Sequence, residues 1–205
     1  RNASTQAELD TAIKQSGNGD VINITKNMTI KNVVITNKTI TIRASGGNRT
    51  ITPANGDNVS AFIVNGNSKV TFVATGNHTS SGSSVANKLH IGGSAKGTGK
   101  SINSSNIIVQ GSARVNINAN VLVRNSRYHT VYGDPNTTIC LDGGTIMNSS
   151  GVTAVNGGTQ TFGIGSYGTI LIKGGLIYCA STNRKEQYGQ GVHSNGGTIT
   201  VSGGS

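Results

Sequence analysis

Leu141-Asp142-Gly143-Gly144-Thr145-Ile146 is followed by Val155-Asn156-Gly157-Gly158-Thr159, then by Ile172-Lys173-Gly174-Gly175-Leu176-Ile177 and Ser194-Asn195-Gly196-Gly197-Thr198-Ile199. Each phrase reads as an apolar strand end, a polar residue, a Gly-Gly corner and a new strand start. Glycine pairs permit the positive-φ corners that a Cβ resists. The spacing drifts between copies, so the pattern is not a strict short-period repeat. It describes a coil that lays down a strand, turns and lays down another. The expectation is an all-β chain folded as a β-solenoid, a parallel β-helix with each rung stacked on the one below.

Composition supports that reading. The 205 residues include 30 Gly, 2 Pro and no Trp, with 4% aromatic and 12% charged residues. A core must therefore come from many small and β-branched side chains, which suit pleated, half-buried surfaces. The formal charge of +10 and pI near 10 favour acidic partners such as polyanionic glycans, nucleic acid or an anionic surface. Two cysteines are too few for a disulfide framework, and Cys140 and Cys179 read as unpaired thiols unless stacking sets them on neighbouring rungs, with Cα atoms within roughly 7 Å. No apolar run approaches the roughly 20 residues of a membrane span, so membrane insertion is not expected. A chain that opens at Arg1 and stops in mid-pattern at Ser205 reads as a segment cut from a longer solenoid.

One helix is expected, and it comes first. Thr5 and Glu8 have capping-box spacing, Leu9, Ala12 and Ile13 share a face, and Gly17 suits the C-cap. Residues 1–18 are therefore read as a capping segment that covers the open end of the first rung, and 19–205 as the solenoid. From Gly19 the apolar period is two: Val21 to Ile24, Met28 to Ile30, Val33 to Ile35, Thr39 to Ile42, Val70 to Ala74, Ala113 to Ile117 and Ile170 to Ile172. A sandwich also uses seven or more short strands, but the Gly-Gly phrases and the leading helix favour stacked rungs. A period of about 20 to 25 residues predicts about eight rungs.

Four stretches break the alternation and are expected to bulge out as loops: Gly76 to Asn87, Ser94 to Ser105, Arg124 to Asn136, and Ala180 to Val192. The last two carry chemistry. Arg124, Arg127, Tyr128, His129 and Tyr132 cluster in one, and Arg184, Lys185 and Tyr188 in the other. Tyrosine offers a ring face and a hydroxyl to a sugar, and arginine grips carboxylate or sulfate bidentately. These eight residues form the expected ligand-binding set. Nucleic acid ranks lower, because no nucleic-acid module is present.

Catalysis finds little support. Polysaccharide lyases and hydrolases need clustered carboxylates or a hard cation. The acids are Glu8, Asp10, Asp20, Asp57, Asp134, Asp142 and Glu186, with no Asp-x-Asp pair in the solenoid. His78, His90, His129 and His193 lack paired metal spacing. No metal, cofactor or enzymatic activity is expected. Thr39-Ile40-Thr41 and Thr198-Ile199-Thr200 stand isolated, so a laddered ice-binding face is not expected either. Sequons at Asn23, Asn27, Asn37, Asn48, Asn77 and Asn136 follow from the Asn- and Thr-rich corners and suit a bacterial source.

The opening Ser4-Thr5-Gln6-Ala7-Glu8-Leu9-Asp10-Thr11-Ala12-Ile13, followed by Gly19-Asp20-Val21-Ile22, resembles the start of pectate-lyase-like right-handed β-helices. With the Asn-Gly-Gly-Thr phrases, it is most similar to those in cell-surface adhesins of Gram-positive bacteria. The nearest are the binding regions of serine-rich repeat and related epithelial adhesins of lactic-acid bacteria. That resemblance implies an exported segment, anchored to the cell wall through sequence outside it, that binds host or plant glycans. Expected partners are acidic glycans or glycosaminoglycans on host epithelium, mucin or plant polysaccharide, held more tightly toward acid pH as histidines protonate. Pectate-lyase catalytic residues have no matching positions here. A polysaccharide-degrading enzyme and a plain spacer of a surface protein are the alternatives.

Overall fold

The structure, a computed structural model, describes residues 1–93, 102–126, 128–148, 152–153, 159–179 and 187–204, without side chains at 152–153, 159–162 and 187–189. Strands dominate, and most of them pair in parallel. The helix Gln6–Gln15 is present, with Leu9, Ala12 and Ile13 buried in the same core as the strands. Its start departs from a plain capping box. The Glu8 amide donates to Thr5 Oγ1 at 3.3 Å, but the Glu8 carboxylate reaches back to the Ser4 amide at 2.7 Å rather than to that of Thr5. Those Ser4 hydrogen bonds hold the Glu8 carboxyl below its usual pKa. At the other end Ser16 is the cap, in extended geometry, and the positive-φ glycine is Gly19 rather than Gly17.

Parallel strands lie in three columns. The first contains Asp20–Ile24, Thr39–Ala44, Lys69–Ala74, Arg114–Asn118, the opening halves of Thr138–Asn148 and Thr169–Cys179, and Thr198–Val201. The second contains Met28–Ile30, Arg49–Pro53, Leu89–Gly92, Val121–Arg124 and the closing halves of the same two long strands. Val33–Thr36, Phe62–Asn65, Ile107–Val109, His129–Gly133, Thr159–Ser166 and Gln187–Ser194 make the third. Alternation sends every second side chain inward, and exact register turns those positions into ladders. Ile22, Ile42, Phe72, Ile117, Leu141 and Ile172 stand in one such line and are buried. Burying each contributes about 1.5–3 kcal/mol, which is how a chain with so few large side chains builds a core. This arrangement is consistent with a β-solenoid.

Several expectations change. Successive first-column partners, Asp20 to Ile40, Thr39 to Lys69, Lys69 to Arg114, Arg114 to Thr138, Thr138 to Thr169 and Thr169 to Thr198, are 20, 30, 45, 24, 31 and 29 residues apart. Among the described residues the first column thus stacks seven strands from Asp20–Ile24 onward, with the two-residue Asn2–Ala3 paired before them, and connections lengthen most turns beyond the expected period. One such connection is no loose loop: Asn77–Ser80 and Ser83–Ala86 form an antiparallel hairpin. The Gly-Gly phrases also differ in kind. Asp142-Gly143-Gly144 and Lys173-Gly174-Gly175 are bulged bends inside single strands shared by two columns, while Asn195-Gly196-Gly197 is a corner between strands. The bends stack tightly. Gly175 has φ +104°, and a Cβ there would sit 2.1 Å from the Gly144 carbonyl oxygen. The copy at Val155 to Thr159 lies almost wholly outside the described residues. Ahead of the helix, Asn2–Ala3 pairs in parallel with Asp20–Ile24.

Candidate functional site

The third column carries a cleft of about 370 Å³ on its outer face, lined by Tyr128, His129, Tyr132, Tyr167, Gln190 and His193, with Ile102, Gly165, Ser166 and Asn195 completing the wall. Its floor is set by register. Tyr132, Gly165 and His193 occupy one outward line on three successive strands. Gly165 leaves that line without a side chain, and the His129 ring occupies the gap: a Cβ on Gly165 would lie 2.2 Å from His129 Cδ2.

Four rings run in series. Tyr128 meets His129 edge-on with centroids 4.3 Å apart, His129 lies 5.3 Å from Tyr132, and Tyr132 lies 6.3 Å from Tyr167. His129 and Tyr132 are buried, Tyr128 is half-buried and Tyr167 is 42% exposed. The strand start is pinned from behind. Buried Asn148 donates to the Tyr128 carbonyl at 3.1 Å, and Ser126 Oγ donates to the His129 carbonyl. On the far side the Tyr167 amide donates to the Gly133 carbonyl at 2.9 Å, and Ser166 Oγ accepts from the Gly168 amide at 2.9 Å.

Electrostatics keep the buried groups neutral. Burial first, then the positive charge that His193 can carry, pushes the His129 pKa down to about 3. Burial, the Asp134 carboxylate and a hydrogen bond to it push the Tyr132 phenol well above its usual pKa. His129 therefore stays uncharged at pH 5 and does not supply the added positive charge expected of the histidines on acidification. Among the described residues, those lining the cleft include no Lys, Arg, Asp or Glu.

The eight expected site residues thus part company. Tyr128, His129 and Tyr132 come together in the cleft. Arg124 does not line it. Arg124 ends a second-column strand on that column's outer side, paired with Gly92 and Met147, and its charge helps depress the His90 pKa, after burial. Within the expected loop from Arg124 to Asn136, Arg124 ends the strand Val121–Arg124 and His129–Gly133 forms another, and the end of the expected loop from Ala180 to Val192 lies in the strand Gln187–Ser194. Arg127, Arg184 and Lys185 lie outside the described residues, and Tyr188 is described only as backbone, opposite Gln160. Sequence reasoning missed Gly165, Tyr167, Gln190, His193 and Asn195 as site members. Their signal was positional, one and two strands beyond Tyr132, and visible only once register is known.

Among the described residues no three His, Cys, Asp or Glu side chains are grouped to hold a metal ion. Cys140 and Cys179 are free, and burial raises the Cys179 pKa. Among the described residues no helix is long and apolar enough to cross a membrane. Comparison of the chain with protein families, characterised proteins and solved structures finds no match.

Proposed function

We propose that this chain is a non-catalytic, glycan-binding segment of a bacterial surface adhesin. In this reading it is a right-handed parallel β-helix whose leading helix closes the first rung. The glycan sits in the third-column cleft. One observation carries the reading: an exposed tyrosine face, Tyr167, stands in a cleft beside the amide side chains of Gln190 and Asn195. A sugar ring presents C–H groups that stack on an aromatic face, and hydroxyls that both donate to and accept from amides. A described lining without Lys, Arg, Asp or Glu suits a neutral sugar ring in the cleft itself. Host or plant polysaccharide is the partner class, and long-range attraction from the net charge of +10 assists capture of acidic chains.

A glycan array with wild type, Tyr167→Ala and Gln190→Ala tests this. Both positions are exposed, so unfolding temperatures should stay unchanged while affinity falls roughly tenfold or more. A silent array would leave the spacer reading in its place, and variants that bind like wild type would remove the cleft as the binding site.

A further inference from the structure

The first column bears a second surface on its outer face, away from the aromatic cleft. Outward positions stack there in three lines. Thr39, Lys69, Arg114 and Thr138 make the first, and Thr41, Thr71 and Asn116 the second. Asn23, Arg43 and Val73 form the third. Lys69 is exposed, and Arg43, Arg114 and the threonines are half-buried by their neighbours. Adjacent strands place the Lys69 and Arg114 backbones about 4.8 Å apart, and Arg43 stands about 13 Å along the strand direction from that line.

Two of the three cations are held in place by neutral groups. Arg114 Nε donates to Asn116 Oδ1 at 2.9 Å, and Asn116 Nδ2 donates to Thr71 Oγ1 at 3.1 Å. Arg43 Nε donates to Asn23 Oδ1 at 2.9 Å. In both arginines the terminal amines are left over from these bonds. Among the described residues the ion pair formed is Arg1 with Asp20, at 3.3 Å, and it uses none of the three. Fixing arginine by a neutral amide keeps the charge while removing part of the entropy cost of gripping an anion.

We propose that this face binds a linear acidic polysaccharide, with Arg43, Lys69 and Arg114 pairing its carboxylates and Thr41, Thr71 and Asn116 meeting its hydroxyls. A parallel sheet face is flat, and it suits an extended chain lying along it. The outward positions of these strands hold no aromatic residue for bases to stack on, and nothing there protrudes into a duplex groove, so nucleic acid fits less well. The site stands apart from the cleft, so this assignment and the cleft assignment fail separately.

The test measures the affinity of the whole chain for polygalacturonate, and separately for single-stranded and duplex DNA, at about 50 and 200 mM salt. The triple variant Arg43→Gln, Lys69→Gln, Arg114→Gln should bind polygalacturonate roughly tenfold more weakly at the lower salt. A control of equal charge, Lys26→Gln, Lys31→Gln, Lys88→Gln, should lose much less. Lys69→Glu alone, at an exposed position, should weaken binding in the same direction, so the test survives if the triple variant fails to fold. Equal losses in triple and control would show that net charge alone attracts the polymer, and would overturn the proposal. Tighter binding of DNA than of polygalacturonate, lost in the same variants, would overturn it in favour of nucleic acid.

Discussion

Along one outward line of the third column, Val34, Ile63 and Ile108 are followed by Tyr132, Gly165 and His193. The backbone lattice is the same in both halves. In the first half the line carries aliphatic side chains, and Val34 is 52% exposed on an open face. In the second half a ring, a glycine and a second ring follow each other, and the missing side chain at Gly165 leaves the space that the His129 ring takes. Inward lines hardly change between halves, since Val33, Phe62, Ile107, Val131 and Ile164 are all buried. A solenoid can therefore keep its core ladders and place a site by altering single outward positions.

The largest effect should come from the shared core. Phe72 is fully buried and packs on Phe62 with centroids 5.1 Å apart. Phe72→Ala should cost about 4 kcal/mol in urea unfolding without changing the sugar specificity of whatever remains folded. A loss under about 1 kcal/mol would show that the first half is not tied to one continuous core.

Gly165→Val tests that space itself. Its Cβ meets the His129 ring at 2.2 Å, so His129 must leave and the cleft must deform. Destabilisation of about 3 kcal/mol is expected, with loss of glycan binding. The matching change in the first half, Ile63→Val, should cost about 1 kcal/mol or less. Equal costs would dissolve the contrast between the halves.

Acid should act on the second half through His129. Its folded pKa of about 3 lies below the roughly 6.5 of an unfolded histidine, so between those values the unfolded chain holds a proton that the folded chain lacks. Its contribution is complete above about pH 6.5 and falls as pH drops toward 3, by about 2 kcal/mol between pH 6.5 and pH 5. Denaturant midpoints measured across that range should decline in wild type and flatten in His129→Gln. A wild-type curve no steeper than the variant's would remove the buried neutral histidine from the account.

The smallest effect concerns the Tyr132 hydroxyl. Tyr132→Phe deletes its hydrogen bond to Asp134 and should cost about 1 kcal/mol, whereas Val34→Ala, at the exposed end of the same line, should stay within about 0.5 kcal/mol. If the two variants unfold alike, the tyrosine–aspartate pair contributes nothing to the site's order.

Sequence by itself determined the strands that alternate Ile, Val and Phe, because that period needs no partner to be read, whereas Asn77–Ser80, Ser83–Ala86, His129–Gly133 and most of Gln187–Ser194 lie in stretches expected as loops. The helix was equally legible from its cap and its apolar face. So was the chemistry of Tyr128, His129 and Tyr132, which are near neighbours in the chain. Register was not legible. Turns of 20 to 45 residues join the stacked strands of the first column, and local composition does not encode which residue meets which across such distances. Stacking alone therefore decided that Gly165 and His193 stand above Tyr132, that Arg124 belongs to another column and does not line the cleft, and that Lys69 and Arg114 share a line 45 residues apart. Alternation is a local property of the backbone, whereas a site assembled across rungs exists only once parallel hydrogen bonding has set each rung on the last.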